Sequence, residues 1–533
     1  MVKKSLLSLG LVVIGVLVFL LWPLSSSRFE IHIGETAILY KAEFLKAQKH
    51  RDAGTAPNIL LIMVDDLALS DLSLYGNGYP PTPNIDRIGA AGIVFENAYV
   101  TSPVCSPSRA AILAGRYQQR FGFQYQMHER YLRNRLEYYV FKYTIDSYPW
   151  VPRFMGSVPG KKAIRQQGMP PTEITMPELL KSRGYETALI GKWHLGSDSL
   201  RNPCQFGFDY QFGFYASHSL YAPENSTGIH DQKIKGDFTD AHIWSGRRKG
   251  AHAIYKNCRE IEVGEYLTDR LADEAIRYIG TERSQPFFLF LSFSAPHTPL
   301  QAPQSDMEIF SHIEDPVKQT YYAMIANLDR NIGRVINALN EAARDNTLVF
   351  FISDNGGAEY TFTTDNGNYK GGKITNLEGG VKVPFVMFWK NHLNPGSYHN
   401  MVSAMDIFQT IVEVAEIELP DDRVYDGVNL MPFLTGENQG PAHEYLFWQR
   451  GFSRAIRDNR WKLCINTDAR DTVLFDLKLD PYETRNLFDT HKNQGRTLAR
   501  IHRQWSEGLP QPLWPSLINY EFVDGGKTYY FDQ

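Results

Sequence analysis

Short apolar runs, each closed by turn-forming residues, recur along the chain: Ile59 to Val64, Thr187 to Ile190, Phe287 to Phe293, Leu348 to Ile352 and Phe385 to Trp389. Runs of this length without polar alternation predict strands buried on both faces, as in a mostly parallel sheet. Between them the period becomes helical. Thr268 to Ile279 reads as a helix capped by Thr268, and Tyr321 to Ala342 puts Ile325, Leu328, Ile332, Val335 and Leu339 on one face. Strands alternating with amphipathic helices predict an α/β fold over residues 57–436, with one large, mostly parallel mixed sheet sandwiched by helices. Beyond about residue 436 the texture shifts. Tyr445 to Gln449, Ser453 to Ile456, Trp461 to Ile465 and Val473 to Asp476 read as short strands joined by turns such as Asp458-Asn459, followed by a helix near Thr497 to Trp505. This predicts a smaller antiparallel α+β domain over residues 437–533.

The N-terminus has another character. Lys3 and Lys4 precede an almost unbroken apolar run from Leu6 to Leu24, the pattern of an export signal. The run is long enough for an uncleaved membrane anchor with the lysines inside, while Ser25 to Ser27 offer small residues for cleavage. Residues 1–27 are therefore read as a signal peptide or signal anchor and 28–56 as a linker. The remainder is expected outside the cytoplasm: periplasmic, secreted or membrane-anchored. Of the 533 residues, 43% are apolar, enough for a large core, and 55 basic against 59 acidic residues leave a net charge of -4. That balance gives no general attraction to nucleic acid.

Polar residues cluster where the predicted strands stop. Asp65-Asp66 ends the first, Lys192 and His194 follow the second, His297 follows the third and Asp354-Asn355 follows the fourth. In a parallel sheet these ends share one edge, where ligands of open α/β folds bind. Asp65, Asp66, Asp354 and Asn355 are hard oxygen donors, so the metal they favour is a single Ca²⁺, with Mg²⁺ second.

Residues 105 to 116 read Cys-Ser-Pro-Ser-Arg-Ala-Ala-Ile-Leu-Ala-Gly-Arg. Ser106 as N-cap and Pro107 in the first turn predict that Cys105 sits just before a helix N-terminus, where free amides favour an anion and Arg109 adds a forked cation. The stretch resembles the type I sulfatase signature of the alkaline phosphatase superfamily. Gly191-Lys192-Trp193-His194-Leu195-Gly196, Ala295-Pro296-His297-Thr298-Pro299, and Lys373 with Glu378-Gly379-Gly380 resemble that family's later motifs. The resemblance spans roughly Pro57 to Leu487.

The resemblance implies a sulfuric ester hydrolase. Cys105 would be oxidised to formylglycine by a formylglycine-generating enzyme, and would also ligate the metal. Arg109 would steady the hydrated aldehyde, and Lys192 and Lys373 would balance charge on the sulfuryl oxygens. His297 would protonate the leaving alcohol and His194 would take the proton that releases sulfate. The expected substrate is a sulfate ester, on a carbohydrate or sulfated glycan. The segment Phe123 to Arg165, rich in cations and aromatic rings, suits such a partner, as does a second segment from Tyr215 to Lys256. A phosphate or phosphonate monoester hydrolase of the same superfamily, and an inactive glycan-binding homologue, are the alternatives. Of the remaining cysteines, Cys204 and Cys258 flank one insertion-like segment and form the candidate disulfide, with three unpaired thiols as the other reading.

Overall fold

The computed structural model describes residues 2–26, 31, 34–48, 56–76, 79–235, 237–342 and 345–533. Its centre is a ten-stranded sheet. The five inner strands β1 (Asn58–Asp65), β3 (Glu186–Lys192), β4 (Tyr210–Phe214), β5 (Phe287–Pro296) and β6 (Thr347–Ser353) run parallel in the order β6-β1-β5-β3-β4. β7 (Phe385–Trp389) lies antiparallel beside β6, so the sheet is mixed and mostly parallel. Both faces of β1 are covered. Ile59, Leu61 and Met63 point into one core with Leu113 and Phe408, and Leu60, Ile62 and Val64 into another with Leu271, Leu328 and Ile332. This two-sided burial is why the strands read as unbroken apolar runs. The helices of the second layer are α5 (Leu267–Gly280) and α6 (Pro316–Glu341).

In two helices the N-cap lies two residues before the one expected. α5 begins at Leu267 with Tyr266 at its N-cap, so Thr268 is an uncapping residue of the first turn. α2 (Cys105–Ala114) begins at Cys105 itself, with Val104 at the N-cap and the Ser106 hydroxyl without a partner among the described residues. Neither difference moves a side chain to another face.

The C-terminal region forms a four-stranded antiparallel sheet of β8 (Leu446–Arg450), β9 (Ser453–Arg457), β10 (Trp461–Asn466) and β11 (Asp471–Asp476), backed by α7 (Lys492–Ser506). The last hairpin, β12 (Ile518–Asp524) and β13 (Lys527–Asp532), pairs with β2 (Trp150–Pro152) from the Phe123 to Arg165 segment. That segment is thus partly framework: Arg153 is paired with Asp532 at 2.6 Å, and Trp150 packs in an apolar cluster with Ile374 and Tyr520. Between residues 28 and 56, much of which lies outside the described residues, Glu35–Ala47 is a helix whose Lys41 pairs with Glu178 at 2.6 Å. Cys204 and Cys258 form a disulfide, with Cα atoms 6.5 Å apart. α1 (Val2–Leu21) has side chains described from Leu6 onward, and among the described residues no helix is long and apolar enough to cross a membrane.

Candidate active site

All the residues expected at the strand ends meet at one edge of the sheet. β1 and β6 end in register, Val64 opposite Ser353, which brings Asp65 and Asp66 beside Asp354 and Asn355. β5 and β3 end beside them and deliver His297, Lys192 and His194. Asp65, Asp354, Asn355, Cys105, Arg109 and Lys192 are fully buried, and Asp66, His194, His297 and Lys373 nearly so. Gly191 has a φ of +119°, and a Cβ there would lie 1.8 Å from the Ser292 carbonyl, so glycine alone lets β3 close up before Lys192. Asp66, His194 and Ile374 have φ of +60°, +56° and +82°, left-handed conformations that non-glycine residues hold only when the surroundings enforce them.

The Cys105 thiol lies at the start of α2 and donates to Asp65 Oδ1 at 3.4 Å. The cations pair with the carboxylates: Lys192 Nζ lies 2.5 Å from Asp65 Oδ2, Lys373 Nζ 2.7 Å from Asp66 Oδ1, and Arg109 places Nε 2.8 Å from Asp354 Oδ2 and Nη2 3.7 Å from Asp65 Oδ2. Ligand atoms of Asp65, Asp66, Cys105 and His297 lie within 4.8 Å of one another, the one such cluster among the described residues. No second Asp/His set of the kind a two-metal phosphatase needs accompanies it there.

The electrostatics follow from this packing. Burial would raise Asp65 and Asp66, but Lys192 and Lys373 respectively, together with His297, outweigh it and hold both below the usual carboxylate range. Asp354 goes the other way: burial and the negative charge of Asp65 raise it. Burial, with the Asp354 charge, pushes the Cys105 thiol well up, so an unmodified thiol there is a poor nucleophile. Burial and the charges of Lys192 and Arg109 push His194 well down. Burial also lowers His297, against the pull of Asp66. Its Nδ1 lies 2.5 Å from the Thr298 carbonyl and so donates to it, leaving Nε2 to face Asp66 Oδ2 at 3.6 Å.

The cage fits a hard cation. Three carboxylates and an amide converge, and the buried Asn355 Oδ1 accepts no hydrogen bond among the described residues, while Asn355 Nδ2 donates to Asp66 Oδ1 at 2.8 Å. An unpartnered carbonyl oxygen beside carboxylates is a cation ligand by chemistry. Arg109 Nη2 and His194 Nδ1 are likewise buried without a hydrogen-bond partner among the described residues.

Several supporting residues carried no sequence signal of their own. Ser292, inside an apolar run, accepts from Arg109 Nη1 at 2.6 Å and donates to the Lys192 carbonyl at 2.8 Å. Tyr221 donates towards the carbonyls of Ser294 and His297 at 2.7 and 2.8 Å, fixing the turn that holds His297. Glu378, expected only as a neighbour of Lys373, meets Lys462 Nζ at 2.9 Å, and that amine lies 3.0 Å from Glu483, so the C-terminal sheet grips the lysine loop.

The comparisons with known proteins agree with this geometry. The family model described as Sulfatase matches residues 57–417, and one described as N-sulphoglucosamine sulphohydrolase, C-terminal, matches residues 373–508. Steryl-sulfatase of Mus musculus is 31% identical over 89% of this chain and 87% of its own length. N-acetylgalactosamine-6-sulfatase of Homo sapiens is 33% identical over 71% of this chain and 66% of that protein. The crystal structure of Ps i-CgsB in complex with k-i-k-neocarrahexaose superposes with a TM-score of 0.71 at 28% identity, covering 86% of this chain and 95% of that one. With the family model matching residues 57–417 and a relative 31% identical over 89% of the chain, this chain belongs to the type I sulfatases of the alkaline phosphatase superfamily and is a sulfuric ester hydrolase.

Proposed function

We propose that this protein is an exported sulfatase acting on sulfate esters of carbohydrates, through a formylglycine derived from Cys105 and one Ca²⁺ held by Asp65, Asp66, Asp354 and Asn355. One observation carries the reading: four parallel strand ends and one helix start surround position 105 with oxygen ligands, three cations and two histidines. A formylglycine-generating enzyme would mature the chain. When present, the formylglycine supplies the attacking oxygen, and Ca²⁺ supplies the positive charge that makes that oxygen easier to deprotonate. Modified Cys105 would then be a further metal ligand.

The chain's own residues do the rest. Lys192 and Lys373 hold their ammonium groups, already desolvated, where the sulfuryl oxygens gain charge, so little reorganisation is needed during reaction. Arg109, fixed by Asp354 and Ser292, orients the group at position 105. His297 has its Nδ1–H tied to a carbonyl, so Nε2 is the atom through which a proton reaches the leaving alcohol oxygen, once the ring has taken up a second proton there. His194, kept neutral by its surroundings, accepts the proton whose loss releases sulfate.

The N-acetylgalactosamine-6-sulfatase relative and the structural neighbour in complex with k-i-k-neocarrahexaose support a carbohydrate ester. A second reading, a steryl sulfate, is favoured by the steryl-sulfatase match over 89% of the chain. The N-terminal apolar helix supports export and a retained membrane anchor, which we also propose. The test is mass spectrometry of the position-105 peptide after co-expression with the maturing enzyme, followed by turnover of aryl, glycan and steryl sulfates beside the matching phosphate esters. Aldehyde at position 105, with turnover lost in Cys105→Ala, is the expected result. Unmodified thiol in fully active protein, or preference for phosphate, would overturn it.

A further inference from the structure

The apolar stripe of an amphipathic helix in a globular protein faces the core. In α3 (Arg135–Thr144) it faces away, and no residue of that helix is buried. Leu136, Tyr139, Val140 and Tyr143 have the i, i+3, i+4, i+7 spacing of one helical face, and they are 36%, 42%, 43% and 70% exposed. Ile145, Tyr148 and Phe154, which follow in the chain, are exposed as well.

The neighbour of this face says what covers it. Nearly every large apolar side chain from Leu6 to Trp22 is exposed, so α1 has the surface of a helix that lies in lipid. The exit of α1 is built into the segment that carries α3. Pro23 bridges to Asn134, Leu24 N donates to the Arg133 carbonyl at 2.9 Å, and Val158 N donates to the Ser25 carbonyl at 2.8 Å. The Arg135 guanidinium stacks on the Phe19 ring at 4.3 Å. Phe19 is near the outer end of the apolar run, so the start of α3 is level with that end, where a bilayer has its headgroups. The composition suits that depth: tyrosines and a tryptophan are residues of the membrane–water boundary. Lys142, fully exposed, lies over the Tyr138 and Tyr143 rings, and exposed Arg133 adds charge of the same sign, while Arg130 is paired with Glu137 at 3.2 Å.

We propose that α3 docks its outward face onto a phospholipid bilayer beside α1, at headgroup depth. The inference rests on the anchor proposed above. On its inward side, Phe141 packs edge-on against Phe238 at 5.1 Å, at the start of α4 (Phe238–Gly246). The docked helix therefore abuts the Tyr215 to Lys256 segment expected to select substrate, and it sets that segment close to the lipid surface.

The full chain, in a Cys464→Ser background, is placed in phosphatidylcholine–phosphatidylglycerol nanodiscs with a nitroxide at one position at a time: Val12→Cys in α1, Tyr143→Cys in α3, or Leu479→Cys. Leu479 is 78% exposed and follows β11. Cys105 is fully buried and stays unlabelled. Collision with oxygen and with a water-soluble nickel chelate is read for each. The expected result is that position 143 meets oxygen more often and nickel several-fold less often than position 479, with position 12 deeper still. Hydrocarbon exposure at position 12 with water exposure at position 143 overturns the docking and leaves the anchor standing. Water exposure at both overturns both.

Discussion

Lys462 is fully buried and lies between two buried carboxylates, Glu378 at 2.9 Å and Glu483 at 3.0 Å, so Lys462→Met removes one cation from two acids at once. Met keeps most of the volume, which confines the loss to charge. Burial opposes ionisation of both acids. Lys462, then Arg457, nevertheless hold Glu378 down to about 2, whereas burial leaves Glu483 up at about 7 despite Lys462. Glu378 keeps Arg457 at 3.5 Å and the Tyr99 hydroxyl at 2.7 Å in the variant, while among the described residues Glu483 keeps only the hydrogen bond from the Glu378 backbone amide at 2.7 Å. Breaking a buried pair from one side costs about 3–5 kcal/mol. The sign of its pH dependence follows from Glu483. Below about pH 7 that acid already carries a proton and loses little when Lys462 goes. Above it, the charge is stranded or the proton must be taken up against the solution. The cost should therefore be larger near pH 8.5 than near pH 6. Trp448, whose ring lies 5.7 Å from Lys462 Nζ, reports the local transition by fluorescence during urea unfolding. Lys462→Met with Glu483→Gln should recover most of the loss at the higher pH. A cost below about 1 kcal/mol at both pH values, or no recovery in the double variant, would refute the account.

Chelation with EGTA should remove activity and lower the melting temperature, by about 3 kcal/mol of stability if free Ca²⁺ stands near a hundredfold over its dissociation constant, and Ca²⁺ should restore both. Equal restoration by Zn²⁺ would contradict the oxygen-ligand reading. Replacing the disulfide by Cys204→Ser with Cys258→Ser opens a loop of sequence separation 54 and should cost up to about 4 kcal/mol, read as a lower urea midpoint. For His443, burial opposes protonation but Asp406, 2.8 Å away, raises its pKa above the ordinary value. Its contribution is then complete below about pH 6.5 and lost as pH rises through the raised value. His443→Gln should accordingly cost about 1–3 kcal/mol near pH 6 and less near pH 9, and a pH-independent difference in melting would count against the pair.

The parallel strands were legible because each is covered on both faces, which leaves an apolar run, and because its chemistry sits just past the end of that run. Asp65-Asp66 and Asp354-Asn355 are four positions at the ends of two strands that become one cage through register. The start of α2 was less legible. A cap signal at Ser106 suggested a conventionally closed helix, yet Val104 holds the cap position and offers no side-chain acceptor. A helix start that binds a ligand has reason to leave its amides open, and local rules fail there for a functional cause. In the Phe123 to Arg165 segment, expected to face a glycan, two of the cations already have partners within the chain: Arg135 stacks on Phe19 and Arg153 pairs with Asp532.

What no periodicity announces is the support of the cradle. Lys373 sits next to Ile374, a β-branched residue at a φ of +82°, and that conformation must be held from outside. Arg450 of β8 donates to the Ile374 carbonyl, and four residues on, Glu378 is clasped by Lys462 and Arg457. These partners are separated by 76 to 84 residues in the chain, so each reads locally as an ordinary charged residue on a short strand. Only the fold turns them into a clamp. If the C-terminal sheet exists to hold Lys373 against Asp66, then Lys462→Met should lower kcat on a small aryl sulfate as well as stability, and Lys462→Arg should rescue part of both. A variant that loses stability while keeping full kcat in its folded fraction would reduce the clamp to a matter of packing.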